Sequence, residues 1–264
     1  MESVEQILEN YYSRGEEINR LVKDKAHKIE FLTTTRYIEK YLKKKDRILE
    51  IGAGTGRYSL YYAKRGYKVD AVELTKSNIE EFKKHIDNNM QINIRRGNAL
   101  ELNMYKDNTF DITLLLGPIY HLFSQKDKEK AIREAIRVTK PHGKIFIAYI
   151  TNDIVIITYG LKKGNLLRMK DVCDENYRVK EIPEEIFSVN YVEEFEKMME
   201  KFDVRKLHQI SADGISESLS EYINKLSDEE YAIWLDYHFK NCERKDLIGY
   251  SSHVVYICEK LGDD

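Results

Sequence analysis

Apolar residues in the central part of the chain follow two spacings in turn, and this rhythm predicts strands that alternate with helices. Between the strands, as at residues 131–140, apolar residues recur every three or four positions, which is the helical spacing. Strands and helices in alternation predict a parallel, doubly wound sheet. Short segments in which apolar residues follow one another or alternate with polar residues, as in strands, lie at residues 48–51, 68–73, 92–96, 110–116 and 144–150.

Two later segments extend the predicted sheet to seven strands. Residues 204–210 predict a sixth strand, and residues 250–258 alternate apolar with polar positions and predict a seventh. Helical spacing at residues 3–24 and 26–44 predicts two helices before the first strand. We therefore expect an α/β fold with a seven-stranded, mostly parallel, doubly wound sheet.

The chain divides into three predicted parts. Residues 1–45 form an N-terminal helical segment, residues 46–150 an α/β core, and residues 151–264 complete the sheet. Insertions at about 152–190 and 212–248 are left over from the core. We expect these insertions and the N-terminal segment to form a helical cap over the carboxyl ends of the strands, where open α/β sheets bind ligands.

A glycine-rich turn follows the first strand and is the most specific motif in the chain. Residues 47–57 read Arg-Ile-Leu-Glu-Ile-Gly-Ala-Gly-Thr-Gly-Arg. Gly52, Gly54 and Gly56 allow a sharp turn and a close approach to a ligand, and the N–H groups of the following helix would face that ligand. A dinucleotide fingerprint, Gly-x-Gly-x-x-Gly, would need glycine at the position of Arg57.

The pattern Glu-x-Gly-x-Gly-x-Gly, which begins at Glu50, resembles motif I of the class I S-adenosyl-L-methionine (SAM) methyltransferases. The signals that follow keep the order of that family: a strand that ends in Glu73, a third strand followed by Gly-Asn-Ala at 97–99, and a fourth that breaks at Gly117. The resemblance covers residues 47–150. It implies a Rossmann-like sheet whose last strand is antiparallel, with SAM as cofactor and S-adenosyl-L-homocysteine as product.

The resemblance also implies the cofactor contacts. Glu73 lies about 20 residues after the glycine loop, where the ribose hydroxyls need an acceptor. Asn98 stands beside adenine, where the family more usually carries Asp. Glu50 would order the glycine loop; the alternative is an indirect contact with the methionine portion of the ligand. Tyr12 and Arg36 would meet the methionine carboxylate; the alternative is an amphipathic helix whose polar residues face solvent. The full expected set is Tyr12, Arg36, Glu50, Gly52, Ala53, Gly54, Gly56, Glu73, Leu74, Asn98, Ala99 and Gly117.

Tyr120 and His121 follow the fourth strand, near the expected point of methyl transfer, and are the candidate catalytic residues. His121 would act as a general base with a pKa near neutrality. The alternative is a packing histidine that shapes the pocket. The remaining histidines show no paired spacing and are expected at the surface or in structural roles.

Composition narrows the choice of partner. The 264 residues carry a net charge of −2 with 33% charged residues, so no overall basic field favours nucleic acid. No apolar run reaches the length of a membrane span and no leader pattern is visible, so the expected location is cytoplasmic, without membrane contact. Cys173, Cys242 and Cys258 have neither disulfide nor metal-ligand spacing, and no metal is expected.

The expected activity is therefore methyl transfer from SAM to a small-molecule acceptor, by in-line displacement at the sulfonium methyl group. Alignment of the nucleophile with the bond that breaks would supply much of the catalysis. The alternatives are a methyltransferase for RNA or protein and a SAM-binding regulator without catalysis.

Overall fold

Seven strands form one sheet in the computed structural model, which describes residues 3–13, 19–182 and 186–262. The strands are β1 (Arg47–Ile51), β2 (Lys68–Glu73), β3 (Ile92–Arg96), β4 (Phe110–Leu115), β5 (Thr139–Ile150), β6 (Val204–Ser211) and β7 (His253–Lys260). Their order across the sheet is β3-β2-β1-β4-β5-β7-β6. The pairs among β1 to β5 are parallel, and β7 runs antiparallel to both of its neighbours. The predicted seven-stranded, mostly parallel sheet with an antiparallel last strand is confirmed.

Helices flank this sheet and connect its strands. They are α1 (Val4–Tyr12), α2 (Lys25–Tyr41), α3 (Arg57–Ala63), α4 (Lys76–Lys83), α5 (Gln125–Val138), α6 (Asn152–Val155), α7 (Met169–Val172), α8 (Val192–Met199), α9 (Ser220–Ile223), α10 (Asp228–Asn241) and α11 (Lys245–Ile248). A 3₁₀ turn (Pro118–His121) follows β4, and a π-helix (Ile156–Lys162) follows α6. None of the helices in the described ranges combines the length and the apolar character needed to span a bilayer.

The first N-terminal helix is shorter than predicted. α1 ends at Tyr12 rather than at residue 24, and residues 20–24 form turns and bends; residues 14–18 lie outside the described ranges. α2 begins at Lys25 because the Asp24 side chain accepts a hydrogen bond of 2.9 Å from the N–H of His27. A carboxylate in this position satisfies a backbone donor that the first turn leaves free, so it starts a new helix.

The centre of the sheet holds the glycine loop in place. β1 lies between β2 and β4, and its residues Ile48, Leu49 and Ile51 are fully buried. Successive side chains of a strand point to opposite faces, so burial of both Ile48 and Leu49 shows that both faces of β1 are covered. The loop that follows Ile51 therefore starts from a rigid point.

α1 lies over the carboxyl ends of the strands and is fixed there by its own acidic residues. The Glu9 carboxylate accepts hydrogen bonds from the N–H groups of Lys76 at 2.7 Å and Ser77 at 2.9 Å, the first two residues of α4. Glu5 pairs with Arg96 at 2.8 Å, at the end of β3. These contacts bind the helix to the edge of the sheet that carries the candidate site.

The segments predicted as cap insertions surround the space beyond the strand ends. The N–H of Ser188 donates to the carbonyl of Tyr120 at 2.8 Å, which ties the first insertion to the 3₁₀ turn. The second insertion packs on α2, where His238 Nε2 and Thr33 Oγ1 are 3.0 Å apart. Residues 183–185 lie outside the described ranges. The division of the chain into core and cap stays a prediction.

Candidate functional site

The loop after β1 turns through glycines in left-handed conformations, with φ of +70° at Gly52, +55° at Gly54 and +81° at Gly56. Close packing against neighbouring side chains also requires glycine at two of these positions. A Cβ on Gly52 would lie 2.7 Å from the Pro118 ring, and a Cβ on Gly56 would lie 2.1 Å from the Phe82 ring. Both glycines are thus needed for the chain to pack against its own loop.

A cavity of about 480 Å³, here called the first cavity, lies over this loop and is within the size range of small-molecule sites. Its wall includes α1 and the loops that follow β1, β2, β3 and β4. Gly56 is not in this wall and packs instead on Phe82, so its position gives no support to the expected cofactor contact at Gly56. The wall contains these predicted residues: Tyr12, Glu50, Gly52, Ala53, Gly54, Glu73, Leu74, Asn98, Ala99, Gly117, Tyr120 and His121.

Glu73 joins the glycine loop to the start of α4. Its Oε2 accepts a hydrogen bond from the N–H of Gly54 at 2.8 Å. Its Oε1 accepts from the N–H of Thr75 at 2.9 Å and from the Thr75 hydroxyl at 2.7 Å. The carboxylate is buried and lines the first cavity. Glu73 therefore shapes the loop, whatever it also offers to a ligand.

Glu50 orders the helix behind the loop. Its Oε2 accepts hydrogen bonds from the N–H of Ser59, at 2.9 Å, and from the Ser59 hydroxyl. Ser59 lies in the first turn of α3, whose free N–H groups favour a carboxylate. Burial raises the pKa of Glu50 to about 8, despite the Ser59 hydrogen bonds. The carboxyl group thus holds a proton near neutral pH unless a positive charge enters the cavity.

His121 is held between α1 and the first insertion. Its Nδ1 lies 3.0 Å from the carbonyl oxygen of Ile186, which can only accept, so Nδ1 carries the proton. Its Nε2 lies 2.7 Å from the Tyr12 hydroxyl and accepts a hydrogen bond from it. Burial lowers the pKa of His121 to about 4. The expected pKa near neutrality is therefore wrong, and His121 is a neutral, hydrogen-bonded part of the wall.

Tyr120 separates the first cavity from a second one. Its hydroxyl donates to the carbonyl of Leu116 at 2.9 Å, and its ring lies edge-on to Phe187 and His253, each at 6.0 Å between centroids. Tyr12, Arg20 and Tyr120 line both cavities, so the two spaces share a wall.

The second cavity has a volume of about 440 Å³. Six residues of its wall are titratable or charged and interact with one another, and they are here called the polar end: Arg20, His27, Glu30, Asp213, Glu217 and His253. Much of the remaining wall is apolar or aromatic, with contributions from Tyr11, Ile150, Ile154, Val155, Tyr159, Val172, Val179, Phe187 and Val189. Part of this wall, including Thr158 and Tyr159, comes from the π-helix, a conformation found often at functional sites.

The arginine that lines the cavities is Arg20, not Arg36. Arg36 lies on the exposed face of α2, 5.0 Å from the centre of the Phe239 ring, and belongs to neither cavity wall. This position gives no support to the prediction that Arg36 meets the cofactor. Arg20 forms a two-pronged pair with Glu30, at 2.6 and 3.2 Å. No sequence spacing identifies Arg20, because it lies in turns between α1 and α2.

The polar end contains an ion-paired cluster that the sequence did not reveal. Ligand-type atoms of Glu30, Asp213 and His253 lie within 4.8 Å of one another. These positions are too far apart in the chain for spacing to show the group. Arg20 already neutralises Glu30, and the carboxylates of Glu30 and Asp213 outweigh burial and raise the pKa of His253 to about 9. The cluster therefore holds its own cations, and we assign no metal to it.

Comparison with known proteins identifies the domain around the first cavity. Residues 49–147 match the family model described as a methyltransferase domain. The chain is 32% identical over 137 residues to norajmaline N-methyltransferase of Rauvolfia serpentina, which covers 50% of this chain and 46% of the relative. It is 34% identical over 103 residues to a demethylmenaquinone methyltransferase of Renibacterium salmoninarum, covering 39% of this chain and 40% of the relative. The chain thus spans about half the length, or less, of these curated relatives.

A solved structure shows the same fold over nearly the whole chain. A SAM-dependent methyltransferase from Thermotoga maritima, titled a possible histamine N-methyltransferase, matches with a TM-score of 0.58 at 19% identity. The match covers 98% of this chain and all of that one, 100%. The matched domain, the glycine loop after β1 and the seven-stranded sheet agree: residues 49–147 of this chain form a methyltransferase domain, and the sheet has the fold of the class I, SAM-dependent methyltransferases.

Proposed function

We propose that the first cavity binds SAM and that the chain transfers the methyl group to a small molecule in the second cavity. The observation that carries the proposal is the shared wall, in which Tyr12, Arg20 and Tyr120 face both spaces. Two adjoining sites for two substrates allow a nucleophile to be held against the group that it attacks.

The hydrogen-bonding and apolar groups that line the first cavity fit SAM. Glu73 Oε2 accepts one hydrogen bond within the described residues, and a carboxylate oxygen can accept two, so a ribose hydroxyl can donate to it. Asn98 Oδ1 accepts from the N–H of Leu100 at 3.0 Å, and its amide nitrogen can donate to adenine. Leu74 and Ala99 offer apolar contact in the same wall. Glu50 supplies a carboxyl group that a positively charged ligand would ionise.

When bound, SAM supplies an electrophilic methyl group on a positively charged sulfur. The chain's own residues bind SAM, align it with the acceptor and exclude water. Leu8 of α1 is buried and lines the first cavity, so α1 covers part of the cofactor site and limits the access of water. The Tyr12–His121 hydrogen bond fastens this helix to the end of β4. Tyr120 then forms the partition across which the acceptor approaches.

The second cavity supports a small acceptor rather than a polymer. A space of about 440 Å³, with an apolar wall and a charged end, suits a compact amphipathic molecule. The names of the relatives agree, since they specify norajmaline and demethylmenaquinone. The alternatives, an RNA or protein methyltransferase and a non-catalytic regulator, gain no support from a cavity of this size beside the cofactor site.

Labelled methyl transfer tests the proposal. Purified protein, incubated with tritiated SAM and a cell metabolite extract, should place label in molecules that pass a filter of a few kilodaltons. Val155→Trp should fill the second cavity and stop transfer while SAM still binds, because Val155 lines only that cavity. Ile233→Trp is the matched control, since Ile233 is exposed on α10. Label confined to protein or RNA, or full transfer by Val155→Trp, would contradict the proposal.

A further inference from the structure

Asp213 and His253 form a hydrogen-bonded pair at the polar end of the second cavity. Asp213 Oδ2 lies 2.9 Å from His253 Nδ1. Asp213 Oδ1 accepts hydrogen bonds from the N–H of His253 at 3.0 Å and from the Ser251 hydroxyl at 2.6 Å. The carboxylate is buried, and its three donors all come from the start of β7 or just before it. Asp213 is therefore fixed in position and in turn fixes the imidazole ring.

The geometry leaves the other ring nitrogen for a ligand. In the described part of the chain, the side-chain hydrogen bond of His253 uses Nδ1, and Nε2 takes part in none of the hydrogen bonds. His253 and Asp213 both line the second cavity. The His253 ring lies 6.0 Å from the ring of Tyr120, which forms the partition to the first cavity. A histidine that lines a substrate space and is oriented by a carboxylate through Nδ1 has Nε2 left to accept a proton, an arrangement suited to general base catalysis.

We propose that His253 is the proton acceptor for the methyl acceptor, that Asp213 is its positioning residue, and that the acceptor carries a phenolic hydroxyl. The proposal rests on the proposed function of the two cavities. The class of acceptor follows from the wall: Tyr11, Tyr159 and Phe187 favour an aromatic body, and the oriented imidazole of His253 favours a hydroxyl that must lose a proton.

The proposed step moves one proton and one methyl group, and each has a defined destination. The acceptor hydroxyl gives its proton to His253 Nε2, and an oxygen lone pair forms the new bond to the methyl carbon. The carbon–sulfur bond breaks, and its electron pair stays on sulfur, which becomes uncharged. The proton on the imidazole leaves to solvent before the next turnover. No oxidant, reductant or metal is needed.

The charges around His253 set its basicity. Glu30 of α2 faces Nδ1 at 3.4 Å and is paired with Arg20, which precedes α2; Asp213 follows β6. Glu217 and His27 lie in the same wall. Burial lowers the pKa of His253, but the two carboxylates outweigh it and raise the pKa to about 9. The imidazolium formed by proton transfer is thus stabilised.

This basicity matches the proposed acceptor. A phenol has a pKa of about 10, so transfer of its proton to a base of pKa about 9 is nearly balanced. Only the neutral imidazole accepts a proton. The rate should therefore rise with pH and level off as pH passes through the pKa of His253.

The test compares His253→Gln and Asp213→Asn with His208→Gln, using a series of para-substituted phenols and SAM. His208 bonds to Tyr41 and Glu243, lines neither cavity and serves as the matched control. His253→Gln should keep its SAM affinity and lose roughly 10²- to 10⁴-fold in kcat on weakly acidic phenols. The loss should be small for phenols that are already ionised at neutral pH. Asp213→Asn should shift the pH profile of kcat to lower pH. Asp213→Glu should return the profile part of the way towards its wild-type position.

A second readout does not depend on turnover. Histidine-labelled protein, followed by NMR, should show a ring that titrates near pH 9, disappears in His253→Gln and shifts down by at least about one unit in Asp213→Asn. Three results would overturn the proposal: kcat for His253→Gln within about threefold of the wild type, no titration near 9, or activity abolished by EDTA and restored by Mg²⁺. Transfer by the wild type only to acceptors without a phenolic hydroxyl would overturn the acceptor class alone. A wild type that binds SAM and methylates nothing small would contradict the proposed function instead.

Discussion

Gly56→Ala should destabilise the fold by about 2–5 kcal/mol, the largest effect of any single methyl group that we expect in this chain. The left-handed conformation, with φ of +81°, costs an L-residue about 1–2 kcal/mol. The added Cβ would lie 2.1 Å from the Phe82 ring, and overpacking of a core adds about 1–3 kcal/mol. Urea unfolding of the purified variant, followed by circular dichroism, measures the change.

Gly66→Ala separates the two causes. Gly66 has φ of +87°, and a Cβ there would meet nothing within 4 Å, so only the backbone cost of about 1–2 kcal/mol applies. Replacing the ring with the smaller side chain in Gly56→Ala/Phe82→Leu should recover part of the packing loss. Equal losses for Gly56→Ala and Gly66→Ala would show that Phe82 does not define the loop.

Glu73→Gln should weaken SAM binding by about 2–4 kcal/mol, or roughly 30- to 1,000-fold in Kd. The two oxygens of Glu73 accept from the N–H groups of Gly54 and Thr75 on opposite sides. An amide in the same place must turn its NH₂ group toward one of these donors, which releases either the glycine loop or the start of α4. A charge-assisted acceptor for the ribose is lost as well. Calorimetric titration with SAM measures the change.

Glu101→Gln is the control for charge. Glu101 also follows β3 near the site, but its side chain is 66% exposed, pairs loosely with Lys130 at 3.5 Å and is not in the wall of the first cavity. This variant should bind SAM as the wild type does. A loss below about half a kcal/mol for Glu73→Gln would mean that its carboxylate neither shapes the loop nor meets the cofactor.

The fold was predictable wherever local pattern and burial agree. Continuous apolar runs at β1 and β4 identify strands covered on both faces, and the glycines after β1 identify a turn that few other residues can adopt. The N-terminal helix was predicted too long because apolar spacing continues past Tyr12. The hydrogen bond that the Asp24 side chain accepts, rather than the apolar spacing, determines that a new helix, α2, begins at Lys25.

The site was predictable where one motif supplies its residues and not where distant segments meet. Glu50, Glu73 and Asn98 lie at or just after the carboxyl ends of β1, β2 and β3, which parallel pairing brings to one edge of the sheet. Asp213 and His253, in contrast, meet because β7 returns antiparallel beside β5 and β6. Arg20 was not identified from the sequence, because helical spacing gives the face of a helix but not the residues in the turns that precede it.

The measurement that tests the account most directly is amide hydrogen exchange of the full chain with and without S-adenosyl-L-homocysteine. Binding in the first cavity predicts added protection at residues 52–56, 73–78 and 97–100, and also in α1, which lies over these loops. Amide exchange at the centre of the sheet should not change, since these residues are already buried. Unchanged exchange at residues 52–56 and 73–78, with or without protection elsewhere, would contradict the assignment of the first cavity as the SAM site.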